Sequence, residues 1–554
     1  MKKLPIGISD FKKLREENYY FVDKSLFIKE IIDEDAEVIL LPRPRRFGKT
    51  LNISMLRYFF EKNKQDNSNL FTGLKIEEQK EYLEHQGNYP LIMLTFKDIK
   101  ENNWPRTYTK LKQVIAREYK RHKYLLESDV LDKYDKKQFQ DIISLQAELP
   151  FYEDALRSLS EHLANYHKEK VMILIDEYDQ PIQRGYLAGY YKQVMNFMRN
   201  LLSGGLKDNL HLKKGVLTGI LRVAKESIFS GLNNLLVSTL LDKVYDSYFG
   251  LLEEEVEEIF NYYNLAYQVD QVKEWYNGYS FGEKIVYNPW SIVNCIYQEG
   301  EFRPYWANTS GNQLIRRLIT EAGSEVKKDL ELLLQGTDIQ KEIDDNIVFS
   351  DLERKNTTIW SFLLLSGYLK ASNQERDLGH LYCQLEIPNL EVEYIYRSII
   401  LDWFKENLNN EELEWMLKSL TEGDVETFSK IFKKIVKSSF SYFDLGRGNS
   451  ENFYHAFVLG LVVNLRGEYQ VKSNRESGYG RYDVMLIPSS KDKLGIIMEF
   501  KKVDQDESLE RGVREALEQI ADRDYRDILE ELGINDILEL GIAFCGKEVM
   551  VKSN

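Results

Sequence analysis

The segment AEVILLPRPRRFGKTLNISMLRYFF, residues 36–60, constrains this chain more than any other. An apolar run of strand length enters a loop ending Gly48-Lys49-Thr50, after which apolar residues recur at helical spacing. A strand, a Gly-Lys-Thr loop and a helix in that order are the setting of a phosphate-binding P-loop. N–H groups at the helix start face phosphate oxygens, Lys49 supplies a point charge, Thr50 offers a hydroxyl to Mg²⁺, and Gly48 leaves room for close approach. The general pattern has Gly where this chain has Arg43, and Arg45 and Arg46 are either further phosphate contacts or a solvated basic turn.

A second segment, VMILIDEYDQP, runs five apolar residues into Asp176 and Glu177, the form of a Walker B strand. Two carboxylates closing a buried strand suit Mg²⁺ binding by Asp176 and polarisation of an attacking water by Glu177. The alternative is a buried strand meeting an acidic surface turn. Further on, KKGVLTGILRVAKES reads as another strand ending near Thr218, with Arg222 a candidate nucleotide-sensing residue or a plain surface arginine.

With YPLIMLTF, these runs alternate with amphipathic stretches across residues 1–250, which predicts a parallel α/β sheet. Residues 251–445 turn helical and aromatic. Within them WYNGYSF is a base-stacking candidate or, more often for such spacing, core, and IWSFLLLSGYLK with LYCQLEIPN suggests a winged-helix-like helix and β-ribbon. Residues 446–554 form a compact α/β module. The expected class is therefore a multidomain α/β chain.

That last module carries RYDVMLIPSSKDKLGIIMEFKKV, two strands about a polar loop. Period-two alternation puts Glu499 and Lys501 on one face, and reflection about the loop brings Asp483 opposite the glutamate. Three converging charges are costly unless they bind something. Two carboxylates and the Phe500 carbonyl make a hard-oxygen Mg²⁺ site, with Lys501 to orient water or to stabilise charge on a phosphate. Glu451, opening the stretch ENFYHAFVLGLVVNL, is a further candidate ligand, His455 lies one turn on, and Gln519 and Tyr525 are candidate contacts from the helix that follows.

Composition narrows the partners. The 554 residues, 43% apolar and 12% aromatic, are enough to bury cores, and a net charge of −15 argues against a protein coated with basic charge. Residues 451–502 nevertheless hold eight Lys or Arg against six acids, so a polyanion such as DNA, or RNA, can approach them. Cys295, Cys383 and Cys545 lack metal or disulfide spacing, and neither a signal-peptide core nor a membrane span is found. A cytoplasmic protein with no membrane partner is expected.

Taken together the chain resembles the bacterial and archaeal proteins that pair an N-terminal AAA-ATPase-like domain with a C-terminal PD-(D/E)XK nuclease domain. The resemblance rests on PIGISDFKKLREENYYFVDKSLFIKEIID, RPRRFGKT, IDEYDQP, NGYSFG, TSGN, SNRESGYGRYDVML and IIMEFKK. It implies an ATP-binding P-loop domain and a restriction-endonuclease-like fold with a divalent metal, Mg²⁺ or Mn²⁺. Arg43 departs from the general P-loop pattern but agrees with that family. By position, Gly48, Lys49 and Thr50 bind nucleotide, Asp176 and Glu177 act on Mg²⁺ and water, and Asp483, Glu499 and Lys501 form the nuclease site. Related nucleases use a Gln and a Tyr four residues apart, whereas Gln519 and Tyr525 are six apart.

The leading expectation is an ATP-regulated, metal-dependent DNA nuclease, with family context suggesting defence against, or maintenance of, mobile DNA. A second is an ATP-driven switch or scaffold whose nuclease-like domain binds DNA or a partner without cutting. A DNA motor ranks last for want of helicase motifs. An arginine supplied in trans would make the protein a homo-oligomer.

Overall fold

The computed structural model describes every residue except 64, 222–233, 266–267, 308–312, 335, 345–355, 407–409, 440–457, 459–460, 463–464, 466–467, 474–475, 478–479, 482, 505–506, 524 and 547. Two compact units emerge: Met1–Leu314 with Asp338–Val392, and Ile315–Thr337 with Glu393–Asn554. No helix among the described residues is long and apolar enough to cross a membrane.

The first unit is built on five parallel strands, β1 (Val38–Pro42), β2 (Leu91–Thr95), β3 (Val171–Asp176), β4 (Leu212–Gly219) and β5 (Leu235–Val237), in the order β2-β3-β4-β1-β5. Every residue of β1 and β3 is buried, as the unbroken apolar runs require when helices cover both faces. The register Leu41↔Thr218 and Ile175↔Leu217 sets the carboxyl ends of β1, β4 and β3 side by side. Strand order reverses between β4 and β1, and α/β sheets bind ligands at the carboxyl ends beside such a switch. Edge strand β2 is closed by side chains: Glu118 accepts from the Met93 N–H (2.9 Å) and Arg121 donates to the Leu91 carbonyl (2.6 Å).

The hairpin β6 (Tyr279–Phe281) and β7 (Lys284–Val286) lies among the helices Glu253–Tyr262, Val269–Tyr276 and Pro289–Tyr297. Tyr276, Tyr279 and Phe281 are buried here, so three of the four aromatic residues of WYNGYSF are core rather than a stacking surface. Strands β8 (Ile339–Ile343), β9 (Lys370–Asp377) and β10 (His380–Glu386) form an antiparallel sheet in the order β8-β10-β9, and the helix Asn356–Leu365 precedes the β9–β10 ribbon.

Glu391 in this unit is fully buried, accepting from Ser291 Oγ and the Trp306 N–H, both at 2.7 Å. Burial pushes its carboxyl up to about 7, the hydrogen bonds opposing. Below the ordinary glutamate range folded and unfolded chains are both protonated. As pH rises toward 7 only the unfolded chain ionises, so folding loses stability, by at most about 3 kcal/mol. Glu391→Gln is expected to flatten the fall in melting temperature that the unsubstituted protein shows between pH 5 and 7; parallel profiles would refute this.

The second unit holds a five-stranded sheet, β11 (Tyr469–Ser473), β14 (Val484–Pro488), β15 (Gly495–Lys502), β16 (Ile537–Cys545) and β17 (Glu548–Ser553), in that spatial order; β12 (Glu476–Ser477) and β13 (Gly480–Arg481) make a small ribbon. Only β15 and β16 pair in parallel. Leu486, Met498, Phe500 and Ile542 pack in one core with Leu417, Phe428 and Phe432 of the helices Asn410–Thr421 and Val425–Ser439. Met485 and Ile497, pointing the other way, pack with Ile520, Tyr525 and Leu529. The helix Leu509–Asp522 crosses over between β15 and β16 and lies close to the sheet. A Cβ on Gly541 would stand 2.6 Å from the Val513 carbonyl oxygen, so glycine sets this approach.

Candidate active sites

At the end of β1 the chain turns through Arg43–Phe47, with Arg46 at φ 71° and Gly48 at φ 86°, before the helix Lys49–Phe60 begins. Thr50 Oγ1 donates to Asp176 Oδ2 at 2.9 Å, and Thr218 Oγ1 donates to Asp176 Oδ1 at 2.9 Å. The loop and the end of β3 are thus joined through one fully buried carboxylate, with β4 between them supplying a hydroxyl. Lys49 is buried and its Nζ donates to the carbonyls of Arg43 and Pro44, both at 2.9 Å. Burial draws its pKa down, while Glu177, Asp176 and Asp179 act to keep it charged.

Glu177 follows in a left-handed conformation, φ 51°, which turns the chain out of the strand. Burial raises its carboxyl pKa, Lys49 lowers it, and the neighbouring carboxylates add to the rise. Such a carboxylate is a better base than an exposed one. Asp179, which sequence reasoning passed over, is buried and accepts from the Ile220 and Leu221 N–H groups at 2.9 and 3.1 Å. It anchors the chain leaving β4. Arg222 lies outside the described residues.

Arg43 turns inward. Its fully buried guanidinium donates to the carbonyls of Pro42 (2.8 Å) and Ser238 (2.6 Å) and lies 5.0 and 5.7 Å from the ring centroids of Phe249 and Phe281. Burial lowers its pKa to about 10. It braces the loop from beneath. Arg43→Gly, which restores the general P-loop pattern, is expected to cost about 3 kcal/mol in urea unfolding and to leave nucleotide affinity no better, because the pocket between the rings empties. Unchanged stability would remove this role.

Arg45 and Arg46 take the other direction. Arg45 Nη2 donates to Gln183 Oε1 at 3.0 Å, and the Arg46 guanidinium stacks 4.1 Å above the Trp290 ring. Both line a cavity of about 830 Å³ with Gly48, Lys49, Thr50 and Glu177. Its charged walls are Arg45, Arg46, Lys49, Lys97, Lys100 and Arg184 against Asp98 and Glu177, a positive excess in an acidic protein. An anion is what such a cavity attracts. Trp290 is some 240 positions from the loop, and nothing local in the sequence pairs the two.

In the second unit the pairing Val484↔Met498 puts Asp483 opposite Glu499 at the end of the β14–β15 ladder. The Phe500 N–H donates to Asp483 Oδ2 (2.8 Å) and the Asp483 N–H donates to Glu499 Oε2 (3.3 Å). Gln519 joins the remaining groups: its Nε2 donates to Glu499 Oε1, and Lys501 Nζ donates to its Oε1 at 2.7 Å. Asp483 is pushed up to about 6 by burial, with the Phe500 N–H and Lys501 opposing. Tyr525 is buried, and burial raises its hydroxyl while Gln519 opposes. Glu451 and His455 lie outside the described residues. Among the described residues no group of three or more His, Cys, Asp or Glu gathers as a metal site. The buried Glu499 and the half-buried Asp483, two carboxylates beside a lysine, fit a hard divalent ion.

Residues 5–229 match the family model described as Predicted AAA-ATPase, and residues 449–554 match the PD-(D/E)XK nuclease superfamily. The architecture implied by the motifs, both on one chain, is the one these matches bear out. A protein of Azotobacter chroococcum mcd 1, described as an uncharacterized protein in the vnfD 5′ region, is 26% identical over 560 residues, covering 98% of this chain and 96% of its own length.

Proposed function

We propose that the protein is an ATP-binding, ATP-regulated nuclease that hydrolyses DNA phosphodiester bonds with a divalent metal ion. The observation that carries this reading is the hydrogen-bonded set Asp483, Glu499, Gln519 and Lys501, which gathers two carboxylates and a cation beside one strand end. In the first unit Lys49, the N–H groups at Gly48–Thr50, Arg45 and Arg46 bind the triphosphate, and Thr50 with Asp176 would hold Mg²⁺. Glu177 takes the proton of the water that attacks the γ-phosphate.

In the second unit Asp483 and Glu499 would hold Mg²⁺ or Mn²⁺. The ion, when bound, supplies Lewis-acid polarisation of the scissile phosphate and a more acidic water. Lys501 meets the negative charge that grows on the phosphate oxygens, and Gln519 keeps Lys501 and Glu499 in register. Glu451 as a further ligand and Arg222 as a nucleotide-sensing residue rest on sequence alone, as does the division at residues 250 and 445. We also place the protein in the cytoplasm, where Cys295, Cys383 and Cys545, all free thiols, stay reduced. Mobile-element or phage defence is the proposed setting, and a homo-oligomer the proposed assembly.

The test is incubation with single- and double-stranded DNA and with RNA, plus Mg²⁺ or Mn²⁺, with and without ATP, using Glu499→Ala as control. Metal-dependent DNA cleavage lost in the variant is the expected result, and its dependence on ATP measures the coupling. No cleavage under any condition favours an ATP-driven switch that binds without cutting.

A further inference from the structure

The helix Trp104–Arg121, which follows β2 and closes its edge, belongs to neither set of site groups. Leu111, Val114, Ile115 and Tyr119 are buried on its inward face. Glu118, the helix's one acid, is buried with them and turned to the Met93 N–H. The outward face is different in kind, for Arg106, Lys110, Arg117 and Lys120 are all exposed. At 3.6 residues per turn these four, with Gln113 between them, fall in one stripe about 21 Å long.

An ordinary solvated helix face mixes its signs, with acids three or four residues from bases. This chain does so elsewhere, pairing Lys12 with Glu16, Lys418 with Glu422, Arg511 with Glu515 and Arg526 with Glu530. No acid stands three or four positions from Arg106, Lys110, Arg117 or Lys120. Residues 100–124 hold eight Lys or Arg against two Glu, in a chain whose net charge is −15. Like charges at this spacing repel one another, so the stripe is unfavourable until an anion lies along it.

A linear polyanion matches that geometry. One strand of duplex DNA carries a phosphate about every 3.4 Å of axis, so the stripe spans about six of them. An anionic membrane matches it poorly, because a helix lying on lipid buries an apolar face there and this helix has its apolar face packed into the protein. We propose that the outward face of the helix Trp104–Arg121 is a docking surface for duplex DNA, with Arg106, Lys110, Arg117 and Lys120 on the phosphates of one strand. The inference rests on the DNA reading of the proposed function and adds a contact made by residues of neither site. Contacts of this kind position a duplex without reading its sequence.

Fluorescence anisotropy of a labelled duplex, in EDTA so that none is cut and over a range of salt, tests it. Arg106→Gln/Lys110→Gln/Arg117→Gln/Lys120→Gln is expected to weaken binding at least about tenfold and to make the slope of log affinity against log salt shallower by about 3 to 4. Lys75→Gln/Lys80→Gln/Lys170→Gln/Lys284→Gln removes the same charge from exposed lysines of the same unit and should alter the slope by less than about 1. Equal losses in the two variants, or an unaltered slope in the first, would overturn the assignment. Loss of binding to phosphatidylserine vesicles with duplex binding kept would overturn it in favour of a membrane. Should the fourfold variant not fold, Arg106→Gln/Lys110→Gln and Arg117→Gln/Lys120→Gln decide: slopes shallower by about 2 support the docking face and unaltered ones overturn it. A duplex cut with Mg²⁺ but not bound in EDTA overturns this inference alone, and one neither bound nor cut overturns the DNA reading with it.

Discussion

Lys501→Ala is expected to lower DNA cleavage by about 10³-fold while ATP binding stays unchanged. Strand alternation puts Lys501 and Glu499 on one face of β15, with Phe500 buried in the core on the other. The ammonium therefore cannot be replaced by a neighbouring residue. Its partner Gln519, at 2.7 Å, also donates to Glu499, so the lysine is poised at the carboxylate pair. Removing one preorganised cation from a developing phosphate charge costs roughly 3–4 kcal/mol of transition-state stabilisation. Lys501 is only half-buried, and its loss leaves the core intact. Gln519→Ala is expected to give a smaller loss, about tenfold, because it positions the others without meeting the phosphate. Gel assay of a labelled duplex, with nucleotide binding measured on the same preparation, decides the matter. Retained cleavage in Lys501→Ala would place the chemistry elsewhere.

Glu177→Gln should abolish ATP turnover, by about 10²- to 10³-fold, while preserving ATP binding. Its carboxyl lies beside Lys49 and Asp176, with its basicity raised first by burial. Glutamine keeps the shape but cannot take up the proton. Lys49→Ala should behave differently and lose binding itself. Lys49 Nζ bonds the Arg43 and Pro44 carbonyls, so it must leave them to reach a phosphate, and its charge is what the phosphate gains. Phosphate release and nucleotide titration on both variants separate the roles. Turnover surviving in Glu177→Gln would assign the base to another residue. If nuclease activity is then measured in the Glu177→Gln protein with ATP bound, its level shows whether binding or hydrolysis regulates cleavage.

Much of both sites was legible because buried parallel strands leave a plain trace. β1, β2 and β3 each appear in the chain as an apolar run, since helices cover both faces of the sheet, and β4 shows the same only after Lys213 and Lys214. β5 was not anticipated: three half-buried residues carry no period. The β6–β7 strands, equally short, registered only as a turn in a helical region. Asp483 opposite Glu499 followed from symmetry about a short loop, because an antiparallel register has a residue sum that does not change. The six-residue spacing of Gln519 and Tyr525 looked unfavourable. What matters is how closely the helix approaches at Gly541, which brings Gln519 to both Glu499 and Lys501.

The sequence by itself determined the chemistry available: a Gly-Lys-Thr loop after a strand, carboxylates ending another, and a D…ExK pair on a hairpin. These are local patterns, set by strand and helix periodicity within a few residues. Only the tertiary structure decided which way Arg43 points, that Arg46 rests on Trp290, and that Thr218 and Thr50 share Asp176. Those contacts join residues tens to hundreds of positions apart. Their partners are chosen by packing around the completed sheet, which no stretch of chain encodes alone.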